Sequence, residues 1–307
     1  MRLDQAARWT ILRLAESPAV KRWVTRYGMR LGAGRFTAGE TLEGAVDVVA
    51  RLNREGLKVT LDNLGESVTD QEQARAAAAA YVEILDRIAA DDLDASVSVK
   101  LTQLGLDLGT ETAFANVRAI VQRAAGHGNF VRIDMEHSGY IDRTLAIYRR
   151  LRQEFDNVGV VIQAMLYRSA EDLEQLAAEQ ANVRLVKGAY AEPPERAYPR
   201  KADVDANYRR LIAFYLNEGG YTAVATHDEA IIAFTKRHVR EHAIGRDRFE
   251  FQMLHGIRPD LQRRLAAEGY TVRVYVPFGT DWYPYLMRRL AERPANLGFL
   301  LRNLFRR

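Results

Sequence analysis

The sequence contains no cysteine among its 307 residues, which excludes disulfides, thiolate metal sites and cysteine nucleophiles. This absence agrees with a reducing compartment, so we expect a cytoplasmic protein. No stretch reaches the roughly 20 apolar residues that a membrane-spanning helix needs, and the N-terminus lacks the long apolar core of a signal peptide. The net charge of +4 is too small to indicate a nucleic-acid partner.

The residues that are present indicate a globular α/β protein. Hydrophobic residues make up 48% of the chain and charged residues 27%, and a chain of this length can bury a large core. Eight short runs rich in β-branched residues recur from Lys58 onward, with helical stretches between them. They are KVTLD at 58, SVSVKL at 96, FVRIDME at 130, GVVIQAM at 159, VRLVKGA at 183, YTAVATHD at 221, FEFQML at 249 and TVRVYVP at 271.

These runs are nearly continuous in Val, Ile and Leu, which is typical of parallel strands covered by helices. We therefore predict a (β/α)8 barrel of the TIM type. An open doubly wound sheet is the alternative, but such a sheet normally brings a glycine-rich phosphate loop that the sequence lacks.

Three segments are predicted. Residues 1–55 alternate apolar and charged positions at helical spacing and form an N-terminal helical extension. Residues 56–293 form the catalytic barrel. Residues 294–307 form a basic amphipathic tail, which is either a helix docked on the barrel or a contact with an anionic membrane surface.

Polar residues concentrate where the predicted strands end. In a barrel of this class the chemistry lies at the C-terminal ends of the strands, and polar groups buried there without partners are costly. The polar residues at these ends are Lys100, Asp134, Glu136, Gln163, Arg184, Lys187, Thr226, His227, Asp228 and Tyr275. Each alone could be a structural ion pair or a solvated loop residue, but their convergence predicts an active site.

The last predicted helix carries Tyr285, Arg288, Arg289 and Glu292 at spacings i, i+3, i+4 and i+7, which is one helical face. This face is either solvated or an anion clamp. Two adjacent guanidinium groups suit a small carboxylate, and Glu292 could hold one of them in place.

Three classes of function remain open on the residues alone. A metal-dependent hydrolase or isomerase lacks support from any HxH or HExxH spacing. Its ligands would be Asp134, Glu136, His137, His227 and His255. A Schiff-base lyase would use Lys100 or Lys187, although Gly188 after the second lysine equally favours close approach by a bound cofactor. A barrel-shaped binding protein would show the same strand-end charges.

Six motifs together resemble the proline dehydrogenase family. The resemblance runs from about Glu40 through Asn296, and the Tyr-x-x-Arg-Arg-x-x-Glu helix combined with RLVKGAY makes it specific. The motifs are VRIDMEHS at 131–138, VIQAMLYRS at 161–169, VRLVKGAY at 183–190, ATHD at 225–228, FQMLHG at 251–256 and YVPFGTDWYPYLMRRLAERPAN at 275–296.

The resemblance implies an FAD-dependent enzyme on a distorted barrel. Such an enzyme oxidises L-proline to Δ1-pyrroline-5-carboxylate by hydride transfer from proline C5 to flavin N5, the first step of proline catabolism to glutamate. It passes the electrons to a membrane quinone. The residues alone do not separate FAD from FMN, because no dinucleotide fingerprint is present. Nothing in the sequence could supply a second, NAD-linked aldehyde-oxidising module, so we expect a monofunctional bacterial enzyme.

The resemblance also implies roles for substrate-site residues. Arg288 and Arg289 would grip the proline carboxylate, with Lys100 as a third cation and Asp134 orienting that lysine. The pyrrolidine ring would be walled by Tyr275, Leu254 and Tyr285. Glu66 would pair with Arg288 as a gate over the site.

A further set of residues would hold the flavin. Arg184 would lie near N5, where it stabilises the reduced form, and Asp134 and Arg184 are the expected catalytic residues. Gln163 would bond the pyrimidine edge. The remaining contacts would be Met135 on the ring, Lys187, Gly188 and Ala189 at the ribityl and diphosphate groups, and Thr226 and His227 elsewhere on FAD. We expect no metal and leave the oligomeric state open.

Overall fold

Eight parallel strands close into a barrel in the computed structural model, which describes residues 33–292 together with Ser17 and Arg22. Side chains at position 33 and at 288–292 lie outside this description. The strands are β1 (Lys58–Asn63), β2 (Ala95–Val99), β3 (Val131–Ile133), β4 (Val158–Gln163), β5 (Val183–Val186), β6 (Thr222–Ala225), β7 (Phe249–Leu254) and β8 (Val272–Phe278). The predicted (β/α)8 architecture is confirmed.

Strand order follows chain order, and β8 closes the barrel by pairing with β1 over six residues on each strand. This pairing excludes the open doubly wound sheet. The helices are α1 (Leu42–Arg54), α2 (Gln71–Ala90), α3 (Thr110–Gly126), α4 (Ile141–Arg152), α5 (Ser169–Ala178), α6 (Lys201–Glu218), α7 (Glu229–Glu241), α8 (Pro259–Ala267) and α9 (Trp282–Glu292). Short 3-10 turns lie at Ala33–Arg35, Ser138–Tyr140 and Arg246–Arg248.

Helix α1 is the main element in the described part of the predicted N-terminal extension, which also holds the 3-10 turn at Ala33–Arg35. The Thr41 hydroxyl accepts a hydrogen bond from the Gly44 N–H at 3.2 Å and caps the first turn. Its apolar face, which includes Val49 and Leu52, is buried where α1 packs against β1 and β8. The helix therefore covers the seam at which the barrel closes. Residues 294–307 and most of 1–32 lie outside the described residues, so the segment limits stay predictions.

Alternation along the strands separates an apolar outer face from a polar interior. On β2, Val97 and Val99 join the hydrophobic core, while Ser98 meets Thr60 of β1 inside the barrel, with 3.0 Å between the hydroxyl oxygens. Side chains two residues apart on a strand share a face, so the inward positions lead directly to the C-terminal mouth. Within the described residues, every helix is too short or too polar to cross a membrane.

Candidate active site

A cavity of about 490 Å³ lies at the C-terminal ends of the strands. It collects most of the residues that the sequence assigned to substrate and cofactor. Those that line it are Lys100, Asp134, Met135, Gln163, Arg184, Lys187, Gly188, Ala189, Thr226, His227, Leu254, Tyr275 and Tyr285. The strands explain this convergence, because lining residues such as Val161 and Gln163 on β4 lie two positions apart on the inward face.

Some predicted site residues are not among those lining the cavity. Glu66 lies in the loop after β1, and Glu136 is buried just beyond β3. The side chains of Arg288, Arg289 and Glu292 lie outside the described residues, so the carboxylate clamp and the gate between Glu66 and Arg288 remain predictions.

Lys100 is held by a carboxylate that the sequence did not single out. Its Nζ lies 2.9 Å from both carboxylate oxygens of Asp62, and the two side chains are 8% and 1% exposed. This corrects the expectation that Asp134 orients Lys100, because Asp62 comes from the adjacent strand and occupies that position. Burial alone would lower the pKa of Lys100, but the charges of Asp62, Asp134 and Glu66 raise it above its ordinary value. Lys100 is therefore a fixed cation in the cavity wall.

Asp134 instead joins Arg184 to Tyr275. Arg184 Nη1 donates to Asp134 Oδ1 at 2.5 Å, and the Tyr275 hydroxyl donates to Oδ2 at 2.9 Å. The guanidinium carbon of Arg184 also lies 5.4 Å from the centroid of the Tyr275 ring, within cation–π range. Burial raises the pKa of Asp134, while Arg184 and Lys100 oppose that rise. The carboxylate thus fixes both an aromatic wall and a cation.

Lys187 bonds two carboxylates at the other side of the cavity. Its Nζ lies 2.5 Å from Asp205 Oδ1 and 2.9 Å from Asp228 Oδ2. Burial opposes protonation, but these two acids raise the pKa of Lys187 above its ordinary value. A Schiff-base lysine must instead be deprotonated near neutral pH. Because Lys100 and Lys187 both remain ammonium ions, the geometry does not support the lyase alternative.

The candidate metal ligands are dispersed. Within residues 33–292, no three His, Asp or Glu side chains come together in a metal-binding arrangement. His227 Nε2 accepts a hydrogen bond from the Leu254 N–H at 2.9 Å, which places the ring proton of neutral His227 on Nδ1. His137 instead stacks on Tyr190, with 4.3 Å between ring centroids. Burial, with a contribution from Arg51, lowers the pKa of His255 to about 4.

Two features of the cavity fit a bound group that makes hydrogen bonds to the protein. Gln163 Oε1 is buried and has no hydrogen-bond partner among the described residues, although Gln163 lines the cavity. A buried acceptor of this kind calls for a hydrogen-bond donor from a bound group. Gly188 has φ +109, and a Cβ built there would lie 2.4 Å from Met165 Sδ. The positive φ favours glycine at this turn beside the cavity.

The lining is strongly charged, with the cations Lys100, Arg184, Lys187 and Lys201 beside the carboxylates of Asp62, Asp134 and Asp228. A closed parallel barrel with such groups at its C-terminal mouth has the architecture of a (β/α)8 enzyme, with its candidate active site where that fold carries one.

Comparison with known proteins then identifies the family. The sequence profile of the proline dehydrogenase family matches residues 45–302, and the chain belongs to that family. It is 48% identical over 300 residues to proline dehydrogenase 1 of Bacillus subtilis strain 168, covering 98% of this chain and 99% of that one. It is 44% identical over 309 residues to proline dehydrogenase of Deinococcus radiodurans, covering 99% of both. The resemblance inferred from the motifs is therefore confirmed.

A solved structure agrees in fold. The chain aligns with proline utilization A from Bdellovibrio bacteriovorus, inactivated by N-propargylglycine, with a TM-score of 0.81 and 27% identity. The match covers 86% of this chain and 32% of that one. The shared region is thus about a third of the larger protein, and the family assignment makes this chain a proline-oxidising oxidoreductase.

Proposed function

We propose that the enzyme converts L-proline to Δ1-pyrroline-5-carboxylate, with hydride transfer from proline C5 to N5 of bound FAD and release of the electrons to a membrane quinone. The observation that carries this proposal is the meeting of the substrate and cofactor residues in one cavity. Catalysis in such a site is mainly a matter of positioning the reacting carbon.

The substrate half of the cavity suits a small cyclic amino acid. Lys100, fixed by Asp62, supplies a cation for the carboxylate, and Arg288 with Arg289 would complete the clamp. Tyr275, held by Asp134, forms a wall for the apolar ring together with Leu254 and Tyr285. Hydride loss from C5 requires a free lone pair on the amine, so activity should rise as the substrate amine loses its proton. None of these steps needs a general base from the protein.

The cofactor half offers matching groups for a flavin. The unpartnered acceptor of Gln163 would bond an N–H on the pyrimidine edge, and Met135 would pack on the ring. The Lys187 to Ala189 segment, which lines the cavity and turns at Gly188 with φ +109, would hold the ribityl and diphosphate groups. Thr226 and His227 would contact the rest of FAD.

The reaction site can be tested with labelled substrate. L-proline carrying two deuterium atoms at C5 is incubated with the enzyme and a soluble quinone analogue, and the mass of the product is measured by mass spectrometry. We expect loss of one deuterium from C5 and slower proline consumption than with unlabelled substrate. A product that keeps both atoms would show that oxidation occurs elsewhere on the ring.

Electron transfer to a membrane quinone places the enzyme at the membrane surface, and the basic residues of 294–307 would supply the contact. We therefore expect the protein to pellet with anionic liposomes and to be released by added salt, because screening weakens such contacts. Absence of pelleting on anionic lipid would refute this part of the proposal.

A further inference from the structure

A chain of buried polar side chains continues beneath Arg184 toward the N-terminal end of the barrel. Glu250 and Gln252 lie two residues apart on β7, so both point into the barrel interior. They are 2% and 3% exposed. Gln252 also lines the cavity. These two residues have no part in the binding roles described above.

The contacts form one continuous line. Gln252 Oε1 accepts from Arg184 Nε at 2.5 Å, and Gln252 Nε2 donates to Glu250 Oε1. Glu250 in turn accepts from Arg273 Nε at 2.9 Å. The Tyr221 hydroxyl donates a hydrogen bond to the other carboxylate oxygen of Glu250 at 3.1 Å, and Tyr221 is not itself part of the line from Arg184 to Arg273.

The chemistry of the neighbours allows only one orientation of the Gln252 amide. A guanidinium group has only donors and an ionised carboxylate has only acceptors, so the amide oxygen must face Arg184 and the amide NH2 must face Glu250. Burial tends to raise the pKa of Glu250, but Arg273, the hydrogen bond from Gln252 and the charge of Arg132 together hold that pKa below its ordinary value. Glu250 is therefore charged, and its charge sets the direction in which the amide points.

This orientation matters because it fixes the plane of Arg184. The guanidinium group donates to Gln252 through Nε, to Asp134 through Nη1 and to Ser98 through Nη2 at 3.0 Å. Three acceptors on three sides hold a planar group in one orientation. Loss of the Nε bond would leave a buried donor unpaired and would free the plane to tilt.

We propose that Gln252 and Glu250 are positioning residues for the oxidation, in which the Glu250 carboxylate orients the Gln252 amide and the amide holds Arg184 in place. This inference rests on the proposed function, in which Arg184 stabilises the negative charge of the reduced flavin. A displaced Arg184 should stabilise that charge less, while the residues that grip the proline carboxylate are unaffected.

The test uses Gln252→Leu and Glu250→Gln in the flavin-loaded enzyme. Glu250→Gln removes the negative charge that attracts the Gln252 NH2 group, so the hydrogen bond between the two side chains weakens and the amide holds Arg184 less firmly. We expect the flavin midpoint potential, measured by anaerobic titration against a reference dye, to fall by at least about 30 mV. This fall corresponds to a tenfold shift of the two-electron equilibrium toward oxidised flavin. The kcat for proline should fall about tenfold, with KM within threefold of the wild-type value.

Tyr221→Phe is the matched control, because it removes one hydrogen bond from the same carboxylate and leaves the bond to Gln252 intact. Its potential and kcat should equal those of the wild type. The proposal is overturned if Gln252→Leu binds flavin with an unchanged potential, or if Tyr221→Phe shifts the potential as far as Glu250→Gln does. If Gln252→Leu fails to fold, Gln252→Met, which also lacks the amide acceptor and is closer to glutamine in shape, replaces it with the same expected fall in potential. Potentials are measured without proline, so a wild type that proline does not reduce would refute the proposed function and leave this test valid.

Discussion

Replacing Asp62 by Asn should destabilise the protein by leaving Lys100 without its counter-charge. The two groups form a buried pair with 2.9 Å contacts to both carboxylate oxygens. Removing one partner of a buried ion pair costs about 3–5 kcal/mol. We expect about 3 kcal/mol, because the amide still accepts one hydrogen bond and because Asp134 and Glu66 also raise the pKa of Lys100.

The expected loss converts into a measurable shift in melting temperature. Unfolding entropy for a chain of 307 residues is roughly 0.6 kcal/mol per kelvin, so Asp62→Asn should lower Tm by roughly 5 °C. The matched control is Asp94→Asn, which disrupts the pair between Lys58 and Asp94 on the barrel surface, where the side chains are 41% and 52% exposed. An exposed pair contributes at most about 1 kcal/mol. Equal Tm shifts in the two variants would refute the argument that burial makes the Lys100 pair important.

Three further predictions follow from the site. Arg288→Ala or Arg289→Ala should raise the KM for proline at least tenfold with normal flavin content, since each removes about 1.4 kcal/mol or more of carboxylate binding; a variant that loses flavin and keeps its proline affinity would contradict the assignment. Gly188→Ala should lose most of its flavin, measured by absorbance after desalting, because alanine is strained at φ +109 and its Cβ would push against Met165, which shifts the segment from Lys187 to Ala189. Full flavin content would contradict the proposed cradle. Burial raises the pKa of Glu136 to about 7 from the ordinary 4.5. The folded state therefore binds the Glu136 proton more tightly than the unfolded state does, and the wild type should lose about 3 kcal/mol of stability as pH rises from about 4.5 through 7. The free energy of unfolding, measured at pH 5 and pH 8, should show this loss in the wild type and not in Glu136→Gln.

The sequence predicted the barrel because its signal is local and repeated. Runs such as VRLV at 183 and TVRVYV at 271 are apolar enough to be read as buried parallel strands, and they correspond to β5 and β8. The barrel rule then placed their polar ends together without coordinates. This reasoning accounts for the strand-end lining residues from Lys100 to Tyr275, whereas Met135, Leu254 and Tyr285 were assigned through the family resemblance.

Partner choice within the site could not be predicted in the same way. Asp62 and Asp134 are both strand-end carboxylates, and only the positions of the neighbouring strands show that Asp62 meets Lys100. Asp205 reaches Lys187 from helix α6, with no sequence spacing to mark the pair. Gln252 lies in a run that looks apolar, although the period of two along β7 marks it as inward once the barrel is known.

The most direct test of the account is the visible spectrum of the purified protein, recorded anaerobically before and after addition of L-proline. We predict a flavin spectrum that L-proline bleaches, because the cavity holds the substrate against the cofactor. A flavin that stays oxidised in L-proline would contradict the assigned substrate. A protein that stays colourless after incubation with FAD and removal of the excess would contradict the assigned cofactor.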